Sequence, residues 1–383
     1  MFSRIRGFLN RHKRKFIISG VVVGSFILLT RYTQRKLREW QEKEVRELLE
    51  RTRRCQHFES TERTCNQTIL TLATSVRNSV TKVLDSETIV NKLRNGCTDK
   101  IASWNALKVL AIARSAVIIY SEAMLVATLR IQLNLVGGYM FKDSQNVNGV
   151  VRADGLTQQK YLSLCGYFMD HGVEKLSALI KEKVEEITAS ISLRDKLTLR
   201  DLEQIYWSVM SLVSADPTVD PVKNLTKYMV PANCEKETDD ILSKMIIETL
   251  DLLESEEVQS LVQTSIRSGF VLVIDHISEY FGDSCAMTNG ITSEIFSPAP
   301  GTSNGKETLW ADSVKKSADA SHKDAFFNLN KITMPMAKII PIVNGQVPDV
   351  PTSGDVPSDW LQRLILNDKL KALGANIYEA FSV

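Results

Sequence analysis

Catalytic and metal-binding motifs are scarce in this 383-residue sequence. Only five histidines occur, and none of them lies in an HExxH or HxxxH pattern or at zinc-ligand spacing from a cysteine. P-loop, Rossmann and kinase patterns are absent as well. The sequence therefore predicts no cofactor, no metal site and no small-molecule substrate, and it favours a binding function over catalysis.

Disulfide patterns and strong net charge are also missing. The six cysteines include no CxxC pair, which favours reduced thiols in the cytosol over a disulfide framework. The formal net charge is +2, so the chain lacks the overall positive charge that nucleic-acid binding needs. Alternating strand patterns are nearly absent, whereas apolar residues recur at helical spacing along most of the chain. These patterns predict an all-α fold.

The chain begins with a basic segment that is followed by an apolar one. Residues 1–15 contain basic side chains and no acidic ones, and residues 16–30 contain no ionisable side chain. As a helix, residues 16–30 would be ~22 Å long, short of the ~30 Å hydrocarbon core of a bilayer. Snorkelling of the flanking Lys15 and Arg31 and a headgroup position for Tyr32 would add length. Residues 16–32 are therefore predicted to form a single membrane anchor.

Other interpretations of this segment fit less well. A cleaved signal peptide needs small residues at its cleavage site, and Leu29-Thr30-Arg31-Tyr32 offers none. A mitochondrial presequence would be amphipathic, and a soluble core helix is the remaining alternative. Basic residues both precede and follow the apolar run, so the positive-inside rule leaves the orientation open.

Two helical parts are expected after the anchor. Residues 33–54 predict a charged stem with a thin apolar stripe, for which a basic coiled-coil arm is the alternative. Residues 55–383 predict one large cytosolic helical bundle. The fold class is thus all-α, with an N-terminal single membrane helix before the bundle.

The most apolar part of the bundle runs from Lys100 to about Val136. It could be read as a second membrane span, but Arg114 and Glu122 would lie inside that span at high cost. A central helix surrounded by other helices explains the same pattern. We expect this helix to end in a turn at Gly137-Gly138.

Several segments of the bundle carry loop signals. Residues 215–237 contain prolines and residues 282–333 are rich in polar residues and glycine, so both are predicted to be flexible loops. The block PMAKIIPIVNGQ, residues 335–346, is predicted to be extended because prolines and Asn344-Gly345 frame it. A final helix is expected from about Pro357 to Phe381.

One helix break suggests a partner site. Leu93 precedes the break at Asn95-Gly96, whereas Lys100, Trp104 and Leu107 follow it at helical spacing. An aromatic anchor beside aliphatic side chains and a cation is typical of a groove that receives an amphipathic helix. A simple core position for Trp104 is the alternative, and the local pattern alone favours it.

Separated sequence blocks resemble the peroxin-3 family. They are the opening RHKRK with its apolar run, HFESTERTCNQTIL (57–70), RIQLNLVGGYMF (130–141), AKIIPIVNGQ (337–346) and NIYEAFS (376–382). The resemblance runs from end to end, although residues 215–237 and 282–333 do not share it. It implies a membrane-anchored helical bundle of the peroxisome with its N-terminus toward the matrix and its large domain in the cytosol. The protein would reach the peroxisome either directly or through the endoplasmic reticulum.

The resemblance also implies a function. Family members dock peroxisomal biogenesis factor 19, an import chaperone that carries new peroxisomal membrane proteins, by receiving its N-terminal amphipathic helix in a hydrophobic groove. The family's groove residues fall here on Leu93, Lys100, Trp104, Leu107 and Lys338, which reverses the interpretation of Trp104 as core. The targeting residues expected at the front are Arg11, Lys13, Arg14 and Lys15.

Membrane lipids around the N-terminal helix are the other expected contact, and neither nucleic acid nor a small-molecule substrate is expected. The competing hypotheses are a structural membrane tether and a membrane-bound enzyme on a helical scaffold.

Overall fold

The computed structural model describes residues 13–145, 154–232, 240–292, 332–352 and 354–382, apart from the side chains of 13–23 and 283–292. Its helices in chain order are α1 (Lys13–Val83), α2 (Glu87–Asn95), α3 (Lys100–Gln145), α4 (Gly155–Ser163), α5 (Val173–Thr188), α6 (Leu199–Ala215), α7 (Leu225–Met229), α8 (Asp240–Glu254), α9 (Glu256–Thr292), α10 (Met336–Gly345), α11 (Val356–Leu366) and α12 (Asp368–Ser382). A π-helical turn, Phe168–Gly172, precedes α5. Two short strands, β1 (Lys196–Leu197) and β2 (Met334–Pro335), pair antiparallel with Leu197 opposite Met334. The predicted all-α class is confirmed.

The chain divides into two compact units, Met1–Ser60 and Thr61–Val383. In the first unit the backbone is helical from Lys13 onward, which includes the predicted stem. Phe26 and Leu28 are 68% and 71% exposed, as a lipid-facing helix requires and as a soluble core helix does not. The anchor itself stays a prediction, since the side chains of residues 16–23 lie outside the description. Of the predicted targeting residues, Arg11 lies wholly outside it, and so do the side chains of Lys13, Arg14 and Lys15.

The core of the second unit is built around α3. This is the one helix among the described residues that is long and apolar enough to cross a membrane, and its apolar stretch is wholly buried inside the protein. Helices α5, α9, α10 and α12 pack against it. The prediction of a central helix is therefore confirmed, and the alternative of a second membrane span is wrong.

The predicted turn at Gly137-Gly138 is wrong, because α3 continues to Gln145. Both glycines instead permit close packing. A Cβ atom on Gly137 would lie 2.7 Å from Thr61 Cγ2, and one on Gly138 would lie 2.8 Å from Phe381 Cβ. The two glycines therefore mark a place where neighbouring helices approach closely, and not a turn.

The predicted extended block at 335–346 is also wrong, because residues Met336–Gly345 form the helix α10. Its buried side chains are Met336, Ile339, Ile340 and Val343, which recur at helical spacing. Pro341 lies inside the helix, where its ring removes one backbone hydrogen bond. Burial of the apolar face outweighs that loss.

Residues 216–232 are more ordered than predicted. They contain α7, and they bury Val222, Leu225 and Met229 in the core. The loop prediction is therefore wrong for this part, while residues 233–239 lie outside the description. In the second predicted loop, α9 extends to Thr292 and residues 293–331 are not described.

The C-terminal helix is split into α11 and α12 at Asn367. The Asn367 side chain accepts hydrogen bonds from the backbone N–H groups of Lys369 (2.9 Å) and Leu370 (3.3 Å), so it caps the start of α12. The predicted single helix is wrong at this residue. The cysteines of the described regions are free thiols at Cys55, Cys65, Cys97 and Cys165, in line with the expected reduced state.

Candidate docking groove

The groove begins at the break between α2 and α3. Gly96 follows α2 with a φ of 83°, a conformation that favours glycine. Asp99 then caps α3, since its side chain accepts a hydrogen bond from the Ala102 N–H at 2.9 Å. The chain thus turns back on itself, and the last turn of α2 lies beside the first turns of α3.

A third element completes the groove. Helix α10 contributes Pro341, Asn344 and Gly345 to the same cavity as residues of α2 and α3. The volume of this cavity is about 450 Å³. Its lining residues are Glu87, Val90, Leu93 and Arg94 from α2, Trp104 and Leu107 from α3, and these three from α10. Two helical walls, α2 and α10, therefore flank a floor made by α3.

Three of the predicted site residues meet in this cavity. Leu107 is 3% exposed and forms the floor, whereas Leu93 and Trp104 are partly buried and pack against the core. Trp104 is therefore neither a fully buried core residue nor a free surface residue. The core interpretation is met only in part, because Trp104 packs against the core and also lines the cavity.

The two predicted lysines lie outside the cavity lining. Lys100 and Lys338 are both exposed. Lys100 lies one helical turn before Trp104 on α3, and Lys338 lies one turn before Pro341 on α10, so each is placed on the same side of its helix as a lining residue. Such positions suit cations at the rim of a groove.

The family resemblance placed Lys338 of α10 at the groove, but sequence reasoning missed the lining residues of α10 and the charged residues of α2. Glu87 and Arg94 line the cavity beside the apolar side chains. The helical period of residues 336–343 was a usable signal, because it places Pro341 opposite the buried face and Asn344 at the edge of that face. The prolines of this segment hid that signal.

The charges around the groove are mainly positive. Arg94, Lys100 and Lys338 are exposed cations, and Glu87 is the acidic residue among the lining side chains. An apolar trough with this rim favours an amphipathic helix that carries acidic residues beside its apolar face.

Groups suited to catalysis do not converge in the described regions. No cluster of three or more His, Cys, Asp or Glu side chains that could hold a metal occurs among the residues searched. A cavity of about 660 Å³ beside α6 and α9 contains Asp220, whose pKa is raised by burial. Its carboxylate accepts a hydrogen bond from the Val222 N–H at 2.9 Å, which is a turn-forming role.

The sequence also contains a GxSxG pentapeptide, residues 301–305. Such a motif acts as a nucleophile elbow when a strand leads into it and a helix follows. Residues 301–305 lie in a polar stretch without strand alternation, and outside the described residues.

Fold and groove define the class of this protein as an all-α bundle with an open apolar groove at the junction of three helices. The family model described as Peroxin-3 matches residues 7–103 and 139–380. The chain therefore belongs to the peroxin-3 family and has a role in peroxisome biogenesis. Members of this family are biogenesis factors and are not known as enzymes.

Relatives support this family assignment over the full length. The chain is 34% identical to "Peroxisomal biogenesis factor 3" of Rattus norvegicus over 402 residues, with 100% of this chain and 98% of the relative covered. It is 33% identical to the Homo sapiens protein of the same name, with the same coverage. "Peroxisome biogenesis protein 3-2" of Arabidopsis thaliana is 24% identical and covers 69% of this chain and 80% of its own length.

Proposed function

We propose that this protein is a docking receptor of the peroxisomal membrane for the import chaperone peroxisomal biogenesis factor 19. The chaperone's N-terminal amphipathic helix would enter the groove between α2 and α10 and pack on Trp104 and Leu107. The protein would thereby take part in the insertion of peroxisomal membrane proteins. The observation that carries this proposal is the open apolar cavity around a partly exposed tryptophan.

The energetics of the groove suit helix docking. Each large apolar side chain that the arriving helix buries contributes ~1.5–3 kcal/mol. Trp104 is the kind of rigid aromatic residue that dominates such interfaces. The rim lysines Lys100 and Lys338 contribute orientation and association rate more than affinity, since they stay exposed.

The proposed membrane topology rests on the family resemblance, since the charges that flank the apolar run leave the orientation open. Residues 1–15 face the matrix and direct the protein to the organelle, with Arg11, Lys13, Arg14 and Lys15 as the targeting cluster. Residues 16–32 span the membrane and contact its lipids, and the bundle lies in the cytosol. The free thiols of the described regions fit a reducing compartment.

A peptide titration tests the docking function. The full chain in mild detergent micelles is titrated with a fluorescent peptide of the chaperone's N-terminal helix, and anisotropy is measured. We expect one-to-one binding, and we expect Trp104→Ala to weaken it by at least about thirtyfold, which corresponds to a hot spot of ~2 kcal/mol.

Trp207→Ala is the matched control. Trp207 is a partly buried tryptophan of α6 that does not line the groove. Its indole N–H donates to Glu203 Oε1 at 3.1 Å. Its replacement should leave the affinity unchanged, and circular dichroism should show intact helix content in both variants. Equal affinities of Trp104→Ala and the original protein would refute the groove assignment.

A further inference from the structure

Arg114 of α3 lies beneath the groove. It follows Leu107 by two helical turns and therefore lies on the same face of α3 as the groove floor. Its side chain is 1% exposed. One guanidinium nitrogen donates to Ser86 Oγ, and the other donates to Asp349 Oδ1.

The two acceptors belong to the two walls of the groove. Ser86 immediately precedes α2, which forms one wall, and its side chain is fully buried. Asp349 lies shortly after the end of α10, which forms the other wall. A single forked side chain rooted in the floor thus joins the start of one wall to the end of the other.

The segment that carries Asp349 is itself fixed. Arg77 of α1 donates to the Pro348 carbonyl from Nε (3.2 Å) and Nη2 (2.6 Å), and its Nη2 lies 2.9 Å from Asp355 Oδ2. The Val356 N–H donates to the Gln346 carbonyl at 3.3 Å, which closes the segment after α10. Asp349 is therefore a firm attachment point for α10.

We propose that Arg114 is a positioning residue of the docking groove, which holds α2 and α10 at a fixed spacing across the floor formed by α3. The effect on a partner rests on the docking function proposed above, whereas the effect on the two walls does not. Arg114 does not line the cavity, so it acts on the groove through Ser86 and Asp349.

The two ends of this connection differ in exposure, which allows a test that keeps the fold. The side chain of Asp349 is 44% exposed, so its removal leaves no cavity in the core. Arg114 itself is buried, so its replacement also removes a core side chain. Asp349→Ala is therefore the primary variant, and Asp349→Glu keeps the carboxylate.

The test combines amide hydrogen exchange without peptide and the anisotropy titration, both on the full chain in detergent micelles. In Asp349→Ala we expect exchange of residues 87–95 and 336–345 to rise about tenfold, with the rest of the bundle unchanged. We expect peptide affinity to fall about tenfold. Asp349→Glu should restore both values.

Arg130→Met is the matched control for Arg114→Met. Arg130 is a buried arginine of the same helix, but it pairs with Glu62 at 2.7 Å and has no contact with the groove. Arg114→Met should loosen both walls, whereas Arg130→Met should not. The double variant Arg114→Met with Asp349→Ala should bind no more weakly than Arg114→Met alone, because both changes remove one connection.

Two results would overturn the proposal. The first is unchanged exchange of both walls in Asp349→Ala, and the second is equal loosening in Asp349→Ala and Asp349→Glu. Failure of the original protein to bind the peptide would refute the docking function, but the exchange data would still decide the role of Arg114.

Discussion

Glu122 is a carboxyl group buried in the middle of α3, and its replacement by glutamine should stabilise the protein in a pH-dependent way. The residue is 2% exposed, and its Oε2 has no hydrogen-bond partner among the described residues. Burial raises the pKa of Glu122 well above its ordinary value of 4.5. The charge of Arg77 acts in the opposite direction, whereas that of Asp355 adds to the effect of burial.

Burial outweighs the attraction of Arg77 for a structural reason. Arg77 and Asp355 lie 2.9 Å apart and are both almost fully buried, so they neutralise each other. Glu122 therefore meets a pair with little net charge, and desolvation decides its protonation state. The carboxyl group therefore keeps its proton to a higher pH in the folded protein than in the unfolded chain.

The sign of the pH dependence follows from this state. Between pH 4.5 and the raised pKa of Glu122, the folded protein keeps a proton that the unfolded chain releases. The contribution of Glu122 to the free energy of unfolding therefore falls by ~1.4 kcal/mol for each pH unit. This loss continues until the pH reaches the raised pKa, and Glu122→Gln avoids it because glutamine does not ionise.

Urea unfolding at pH 5, 6 and 7, followed by near-ultraviolet circular dichroism of the full chain in nonionic detergent, measures this effect. The free energy of unfolding of Glu122→Gln should exceed that of the original protein by an amount that grows with pH. Glu279→Gln, a change at an exposed position of α9, should show no such trend. A difference that is independent of pH would mean that Glu122 is ionised in the folded protein, which would refute the reasoning.

Two further predictions concern packing and location. Gly138→Ala should lower the free energy of unfolding by ~1–3 kcal/mol, because the new Cβ would lie 2.8 Å from Phe381 Cβ. Thermal unfolding measures this change, and the control is Gly166→Ala, since no atom lies within 4 Å of a Cβ at that position. Neutral replacement of the basic residues in 11–15 should misplace a fluorescently tagged protein in cells, whereas the same change within 51–54 should not. Normal peroxisomal localisation of the first variant would make the cluster a bystander.

Local signals predicted much of the helical pattern. The Asp99 cap and the capping box of Thr198 and Asp201 both involve residues three positions apart, so the sequence alone reveals them. The break between α8 and α9 at Ser255 is local in the same sense. Features of this kind can be read from the sequence because each depends on neighbours in the chain.

Tertiary packing decided what local signals could not. Gly137 and Gly138 together have the local signature of a turn. In the fold they instead allow close contact with Thr61 and Phe381, and neither of these residues is close to them in sequence. The prolines of residues 335–346 predict an extended segment, but residues 336–345 are helical because one apolar face packs against the core. The groove was predictable only in part, because nothing in the spacing of residues 93–107 indicates that α10 will form the opposite wall.

The charged residues of α3 explain how one apolar helix can organise the whole bundle. Lys108 donates to the carbonyls of Thr188 (2.8 Å) and Ile191 (2.7 Å), at the C-terminal end of α5. Arg114 joins the two groove walls, and Arg130 reaches Glu62 of α1 and the Ile365 carbonyl of α11.

Each of these cations thus holds different surrounding elements to α3. Buried charges of this kind add less stability than apolar residues of similar size, but they can fix one arrangement among several that apolar packing would allow. Such charges would be costly in a membrane-spanning helix. In this bundle they pair with groups on neighbouring elements and so help to fix the spacing of the groove walls. Arg114, which argued against a membrane helix in the sequence, is therefore also the residue that ties the two groove walls to α3.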